Sequence, residues 1–305
     1  MDKSLSVGIH VPSVSVSGLE SGPAYADFFR EVEALGFDAI WAEDRILHPA
    51  PLADSVVLLS WAAANTTRVL LGTAVMVLNL RRAPVVARQV ATLQHLSGGR
   101  VVLGVSLGGR PEEYEGLAIP IDRRVRLFRE SLTVLRELLE GEPVTATGDF
   151  FPLDEAIVRP AAPVPVLIGG LVEPAIRRAG ELGDGWIMAP FGSLDEFDRG
   201  WRIAREGAAA AGKDPDALIA GRLLYVAVDD DRGRARDALT RFLHGYYGPG
   251  FDVDRHAIYG PAAEVRSRLR EQVDAGISYL MLAIPTLDTG QLKRLAEDVV
   301  PDLRA

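Results

Sequence analysis

Ionisable side chains gather in this chain where apolar runs stop. His10 sits near the end of Leu5–Val11, and Glu43-Asp44-Arg45 follows Ile40-Trp41, with His48 a short way beyond. A third group, Arg110-Pro-Glu-Glu113, follows the run Val101–Leu107 and two glycines, Gly108 and Gly109. An imidazole at such a place can bind a substrate or shuttle a proton, and a histidine tied to a backbone carbonyl is the structural alternative. Asp44 and Arg45 can hold a polar ligand or pair with one another. His48, beside Pro49, is a candidate general acid or a solvated loop residue, and Glu113 is the acid–base candidate of the third group. Arginine keeps its proton at any working pH, so Arg45 suits binding an anion better than proton transfer.

The same inventory excludes several chemistries. The chain has no cysteine, which removes disulfides, thiolate catalysis and cysteine-ligated metals. His10, His48, His95, His244 and His256 form no HExxH or His-x-His pair, so no metal site is expected. Lys3, Lys213 and Lys293 end no strand, which leaves no Schiff-base lysine. A net charge of −9 offers no basic excess for nucleic acid. No apolar run reaches the roughly 20 residues of a membrane helix. Met1-Asp-Lys-Ser-Leu5 lacks the basic start and apolar core of a signal peptide, so the cytoplasm is the expected location.

Positioning these residues falls to an alternating array. The apolar runs Leu5–Val11, Ala39–Glu43, Val69–Val75, Val101–Leu107, Val164–Gly170, Gly185–Ala189, Ile219–Val228 and Tyr279–Ile284 read as parallel strands covered on both faces. Helical stretches alternate with them: Tyr25–Leu35 before Gly36, Asp54–Ala64, Pro84–Leu96 closed by Ser97-Gly-Gly99, and Val125–Leu139. Phe197–Ala211 follows a Ser193/Glu196 capping box, and Asp231–Tyr246, Ala262–Ala275 and Gln291–Val300 complete the set. This pattern predicts an α/β fold, a (β/α)8 TIM barrel in one domain spanning residues 1–305. A doubly wound sheet is the alternative, but the turn after the first strand lacks the dinucleotide glycine fingerprint.

Barrel sites lie at the carboxyl ends of the strands, where the ionisable groups above also fall. Gly72, Thr73 and Ala74 leave room there for a flat ligand, and Gly169-Gly170-Leu171 offers backbone N–H groups to a phosphate. Trp186 is expected to fill the barrel. Two connections exceed what packing needs and read as lids or interface elements. The insertion at about 142–163, between the fourth helix and fifth strand, is expected to carry short extra strands, and the second is an extended loop at about 245–261.

Taken in order, a set of segments resembles the bacterial luciferase-like flavin superfamily, and within it the branch that uses the deazaflavin coenzyme F420. They are Gly36-Phe-Asp-Ala-Ile-Trp41, Leu71-Gly-Thr-Ala-Val75, Ala91-Thr-Leu-Gln-His-Leu-Ser-Gly-Gly-Arg100 and the glycines of Gly104-x-x-x-Gly-Gly109. Pro165-Val-Leu-Ile-Gly-Gly170, Gly183-Asp-Gly-Trp186 and Ile258-Tyr-Gly-Pro-Ala-Ala-Glu-Val265 continue the series almost to the end of the chain. The resemblance implies F420 as cofactor, a small organic substrate and a homodimer. It places Asp44 near the deazaflavin, a non-prolyl cis peptide at Ala74–Val75 under the ring, and Leu107, Gly108, Gly109 and Arg110 along the ring and side chain. Gly169, Gly170 and Leu171 match its phosphate-contacting turn. One position departs from the pattern: several F420-dependent dehydrogenases carry a histidine directly after the aspartate, and here Arg45 stands there. That leaves His10, His48 or Glu113 as the substrate acid–base group. An FMN-dependent monooxygenase fits the same barrel, and a flavin-binding protein without turnover is the reading from a different class.

Overall fold

Eight parallel strands close into a ring in the computed structural model, which describes residues 4–14 and 18–304. They are β1 Ser6–His10, β2 Ala39–Ala42, β3 Leu70–Thr73, β4 Val101–Ser106, β5 Val166–Gly169, β6 Gly185–Met188, β7 Ile219–Val228 and β8 Tyr279–Ala283. Each pairs with the next, and β8 returns to β1 through Ser6↔Tyr279 to His10↔Ala283. Closure excludes the doubly wound sheet. Seven strands stop a residue or two inside the apolar runs that foretold them, and β7 coincides with its run. The third run breaks: β3 ends at Thr73, the Ala74–Val75 peptide is cis, and Met76–Val77 pairs again with β4.

The helices that wrap the ring are α1 Gly22–Ala34, α2 Ser55–Asn65, α3 Ala83–Leu96, α4 Arg124–Leu139, α5 Glu173–Leu182, α6 Leu194–Ala210, α7 Arg232–Tyr247, α8 Ala262–Asp274 and α9 Thr289–Asp298. Their starts are set by local chemistry. The Asp54 carboxylate accepts the Val56 and Val57 N–H groups, both at 3.0 Å, and caps α2. Ser193 and Glu196 close the expected capping box on α6. Where α3 runs into β4, the nearly buried Arg100 guanidinium donates to Ser97 O, Thr66 Oγ1, Val69 O, Ala63 O and Thr66 O. It thereby satisfies carbonyls at the turn after α2 that no helix can reach.

Inside the ring, Trp41 packs with Ala39, Val102, Leu167, Ile187, Ile219, Tyr279 and Met281. A Cβ at Gly8 or Gly72 would fall on the Trp41 indole. Gly72 therefore makes room for Trp41 and not for a ligand. Trp186 is likewise not the barrel filler: it lies in the outer layer, stacked on Phe197 of α6 at 5.5 Å, with Nε1 donating to Gly170 O at 2.8 Å. The larger apolar core lies between strands and helices.

The insertion forms an antiparallel hairpin, Val144–Thr147 with Pro152–Ala156. Glu130 of α4 holds its turn by accepting the Phe150 and Phe151 N–H groups, each at 2.7 Å. The stretch 245–261 is more ordered than its loop-like composition suggests. It carries the end of α7, a short helix Val253–His256 and a strand Ala257–Gly260 that pairs with the outer half of β7. No helix among the described residues is long and apolar enough to cross a membrane.

Candidate functional site

At the carboxyl ends of the strands a groove of about 610 Å³ runs from β3 across β4 and β5 to the start of α5. Its walls are the residues after β4, Leu107, Gly108, Gly109 and Arg110, and the turn after β5, Gly169, Gly170, Leu171 and Val172. Gly108 has φ +73, and a Cβ there would meet Val77 Cγ1 at 2.5 Å, so only glycine lets β4 turn at this point. Tyr114 fixes the same turn from below, its hydroxyl donating to Leu107 O and accepting from Asn79 Nδ2 at 2.9 Å. Ala74 and Val75 form part of the floor.

The groove's charge is one-sided. Arg45, Arg110, Arg124 and Arg178 line it, and no aspartate or glutamate does among the described residues. Arg178 is 7% exposed, and its Nε has no partner. Burial, reinforced by the neighbouring Arg129, lowers its pKa. In a chain of net charge −9, four arginines converging on a groove whose lining holds no carboxylate among the described residues mark a place for an anionic ligand.

A smaller chamber of about 160 Å³ adjoins the groove and shares Arg45, Ala74, Val75, Ser106, Ala189 and Leu223 with it. His10, Glu43 and Asp44 line one side, and Phe191, Tyr225, Phe242, Tyr246 and Tyr247 the other. Burial drives the His10 pKa down from 6.5 to about 4, against a hydrogen bond to the Ala74 backbone, and Nε2 is left without a partner. His10 is thus a neutral ring at pH 7, with Nε2 unpartnered among the described residues. Burial pushes the Glu43 carboxyl up, although Tyr246, Arg45 and Ser13 favour its charge; the Ser13 hydroxyl donates to Oε1 at 3.3 Å. Tyr225 and Tyr247 share a hydrogen bond of 2.7 Å, and burial lifts the Tyr247 phenol to about 12. A chamber walled by aromatic rings on one side, with His10 and Glu43 on the other, can bind a small molecule and exchange a proton with it.

The residues singled out by the sequence separate into three sets. Ala74, Val75, Leu107, Gly108, Gly109, Arg110, Gly169, Gly170 and Leu171 all line the groove, and His10 and Arg45 line the chamber. Asp44 reaches the chamber, but its carboxylate is occupied by Arg81 Nη2 at 2.6 Å, Ser55 Oγ at 3.0 Å and Val77 N at 3.1 Å. It fixes the strand Met76–Val77 under the site. Glu113 and His48 line neither cavity. Glu113 is buried behind the wall, accepting from Ile46 N at 3.1 Å and Arg45 Nη1 at 3.4 Å. Its carboxylate orients Arg45 and has no open side toward a substrate. His48 packs its ring on Tyr246 at 5.1 Å, while Nδ1 accepts the Ala50 N–H at 3.1 Å.

Sequence reasoning missed Arg124 and Arg178 of the groove and the aromatic wall of the chamber. The wall's signal was the tyrosine-rich end of α7, which lies in the long connection already marked as a lid. Arg178 sits in an amphipathic helix, where nothing in the spacing distinguishes it from a surface arginine.

Comparisons with known proteins agree on one family. The family model described as luciferase-like monooxygenase matches residues 6–276. An F420-dependent glucose-6-phosphate dehydrogenase of Nakamurella multipartita is 32% identical, over 95% of this chain and 95% of that protein. One from Kineococcus radiotolerans is 30% identical over 92% of each. Among solved structures, an F420-dependent secondary alcohol dehydrogenase in complex with an F420–acetone adduct superposes with a TM-score of 0.87 at 22% identity, covering 99% of this chain and 100% of that one. At that identity the structural likeness bears on the fold.

Proposed function

The chain belongs to the luciferase-like monooxygenase family, and from its relatives within that family we infer that it is an F420-dependent oxidoreductase acting on a small organic substrate. The observation on this chain that carries the cofactor choice is the groove lined by four arginines without a carboxylate, with the buried Arg178 Nε unpartnered. A phosphate-bearing, acidic side chain fits that lining. The groove is also open where such a ligand must lie close to backbone: a Cβ at Gly109 would meet nothing within 4 Å.

Ala74, Val75, Leu107, Gly108, Gly109 and Arg110 would hold the ring and its side chain, and Gly169, Gly170 and Leu171 would hold the phosphate. When bound, the deazaflavin supplies a ring carbon that takes or gives a hydride. The protein's own residues have the remaining tasks. The aromatic wall excludes water from the chamber, and its volume of about 160 Å³ selects a small substrate. His10, with Nε2 free, and Glu43, held protonated more readily by burial, are the groups we place nearest the substrate's proton. Arg45 binds the polar end of the substrate at the junction of the two cavities, positioned by Glu113 and by the Tyr246 hydroxyl at 3.4 Å. Asp44 and His48 act through the residues they hold, and not on the substrate.

Titrating the protein with F420 and with FMN while following its intrinsic fluorescence tests this reading. F420 is expected to bind with micromolar or tighter affinity and ahead of FMN. Tighter FMN binding refutes the cofactor and favours an FMN-dependent monooxygenase; binding of neither removes the redox function altogether.

We further assign the active form to a homodimer in the cytoplasm. Val57 and Trp61 of α2 and Val85 and Leu96 of α3 leave large apolar side chains 45% to 71% exposed. Apolar surface of this kind on adjacent helices suits a second copy of the chain. Trp61→Glu should give a monomer by light scattering, and a variant that stays dimeric refutes this face.

A further inference from the structure

A second charged cleft, of about 380 Å³, lies on the outer flank of the barrel between the β6–α6 loop, β7, the strand Ala257–Gly260 and α8. Residues alternate across β7: Leu223 and Tyr225 face the chamber, while Arg222 and Leu224 face this cleft. Arg222 is 4% exposed. Its Nη1 donates to Gln272 Oε1 at 2.7 Å and Nη2 to Gly192 O at 2.6 Å, both neutral acceptors, and Nε has no partner. Among the described residues no carboxylate forms an ion pair with it. Burial lowers its pKa to about 10, against the attraction of the Glu196 carboxylate, which is exposed and accepts the Ser193 N–H at 2.7 Å. A buried guanidinium without a direct ion pair is costly, and an anion from solution relieves that cost.

Two more arginines complete the surroundings. Arg268 stands over the cleft with Nη1 donating to Ala257 O at 3.1 Å, and Arg255 lines its mouth without an ion pair among the described residues. Asp195 and Glu271, the acidic lining residues, are exposed at the rim and leave the buried end to Arg222. The cleft shares no residue with the arginine-lined groove and only Pro190 with the chamber.

We propose that this flank cleft is a second anion site, in which Arg222, Arg255 and Arg268 bind a small oxyanion, a phosphate or a carboxylate group, independently of the cofactor groove. Guanidinium forks match the paired oxygens of either group, and three of them around one cleft suit a ligand with more than one charged oxygen.

Isothermal titration of the whole protein with inorganic phosphate and with citrate, each with and without saturating F420, tests the proposal. With F420 filling the groove, one anion per chain should still bind. The double variant Arg255→Gln, Arg268→Gln should weaken binding roughly fivefold or more, as expected for two partly exposed charges. Arg178→Gln in the groove should leave it unchanged. Tighter phosphate binding assigns the site to phosphate ligands, and tighter citrate binding to carboxylates. The proposal is overturned by an absence of binding at about 10 mM anion with F420 saturating the groove, or by unchanged affinity in the double variant. Because both substituted arginines are at or near the mouth, the test does not depend on an Arg222 variant that fails to fold.

Discussion

Acid should weaken this protein through His10 in a way that one substitution can isolate. The ring is buried, and its pKa falls from 6.5 in the open chain to about 4 in the fold. The folded state therefore resists protonation, while the unfolded chain takes up a proton as pH falls through 6.5. The stability from keeping the ring neutral is complete above that pH, is lost progressively below it, and is gone once pH passes about 4. At about 1.36 kcal/mol per pH unit, the gap corresponds to about 3 kcal/mol in all, most of it lost by about pH 4.5. His10→Gln carries no titrating ring, so carboxylates shared by both proteins cancel when the two are compared. Denaturant unfolding at pH 7.5 and pH 4.5 should show the wild type losing about 2 to 3 kcal/mol more than the variant. Nuclear magnetic resonance of the ring should show the matching low midpoint. Parallel losses in the two proteins, or a ring that titrates near 6.5, would refute the reasoning. The same neutrality bears on turnover: no limb in the pH–rate profile near 6.5 should belong to His10.

Three further outcomes follow from named contacts. Gly108→Ala must place a side chain at φ +73 and at 2.5 Å from Val77 Cγ1, so it should lower F420 affinity about tenfold, whereas Gly109→Ala, with open space, should keep the fold and alter affinity less; equal effects in a fluorescence titration would remove the steric argument. Arg45→Ala leaves the Glu113 carboxylate buried with Ile46 N–H as its remaining donor, and should cost about 1–3 kcal/mol of stability along with most of the turnover; adding Glu113→Gln should restore stability without restoring turnover, and a double variant with full activity would take Arg45 out of the site. Arg100→Met strips carbonyl partners from the turn after α2 and should destabilise by about 3 kcal/mol or more in denaturant unfolding while cofactor affinity at the remaining folded fraction is unchanged.

The barrel was legible because parallel strands covered on both faces appear as continuous apolar runs, and each of the eight ends within a residue or two of its run. The price of that signal is face ambiguity. An alternating strand shows which side is buried, but a run such as Gly185-Trp-Ile-Met188 is apolar throughout and does not say whether Trp186 points into the ring or out. Hence Trp186, expected inside the ring, lies outside it, while Trp41 fills the ring and Gly72 serves Trp41. The groove was legible for a different reason: its walls are short loops directly after β4 and β5, where glycines mark the turn. The chamber was not. Its aromatic wall comes from the end of α7 and the loop after β6, brought against His10 and Glu43 by packing across residues far apart in sequence. Glu113 illustrates the converse, a carboxylate of the short helix Pro111–Gly116 with the right chemistry whose hydrogen bonds turn it inward.

Arg45 ties these observations together. On the proposed reading, the position after Asp44 cannot take up a proton, so proton exchange with the substrate falls to groups that enter the chamber uncharged. Burial favours that state: it lowers the His10 ring below neutrality and raises the Glu43 carboxyl and the Tyr246 phenol. The one permanent charge in the chamber wall that faces both cavities is then Arg45, and Glu113 behind it supplies the balancing carboxylate where no substrate can reach. Such an arrangement favours a substrate that arrives neutral and gains negative character at one oxygen as a hydride is delivered, because a fixed guanidinium stabilises that oxygen and a neutral acid then protonates it. A substrate bearing a full negative charge before reaction would be held as strongly in its ground state and gain little in rate. Neutral ketones or their alcohols should therefore turn over faster than carboxylate-bearing analogues of equal size in a coupled F420 assay. The reverse order would show that Arg45 serves binding alone.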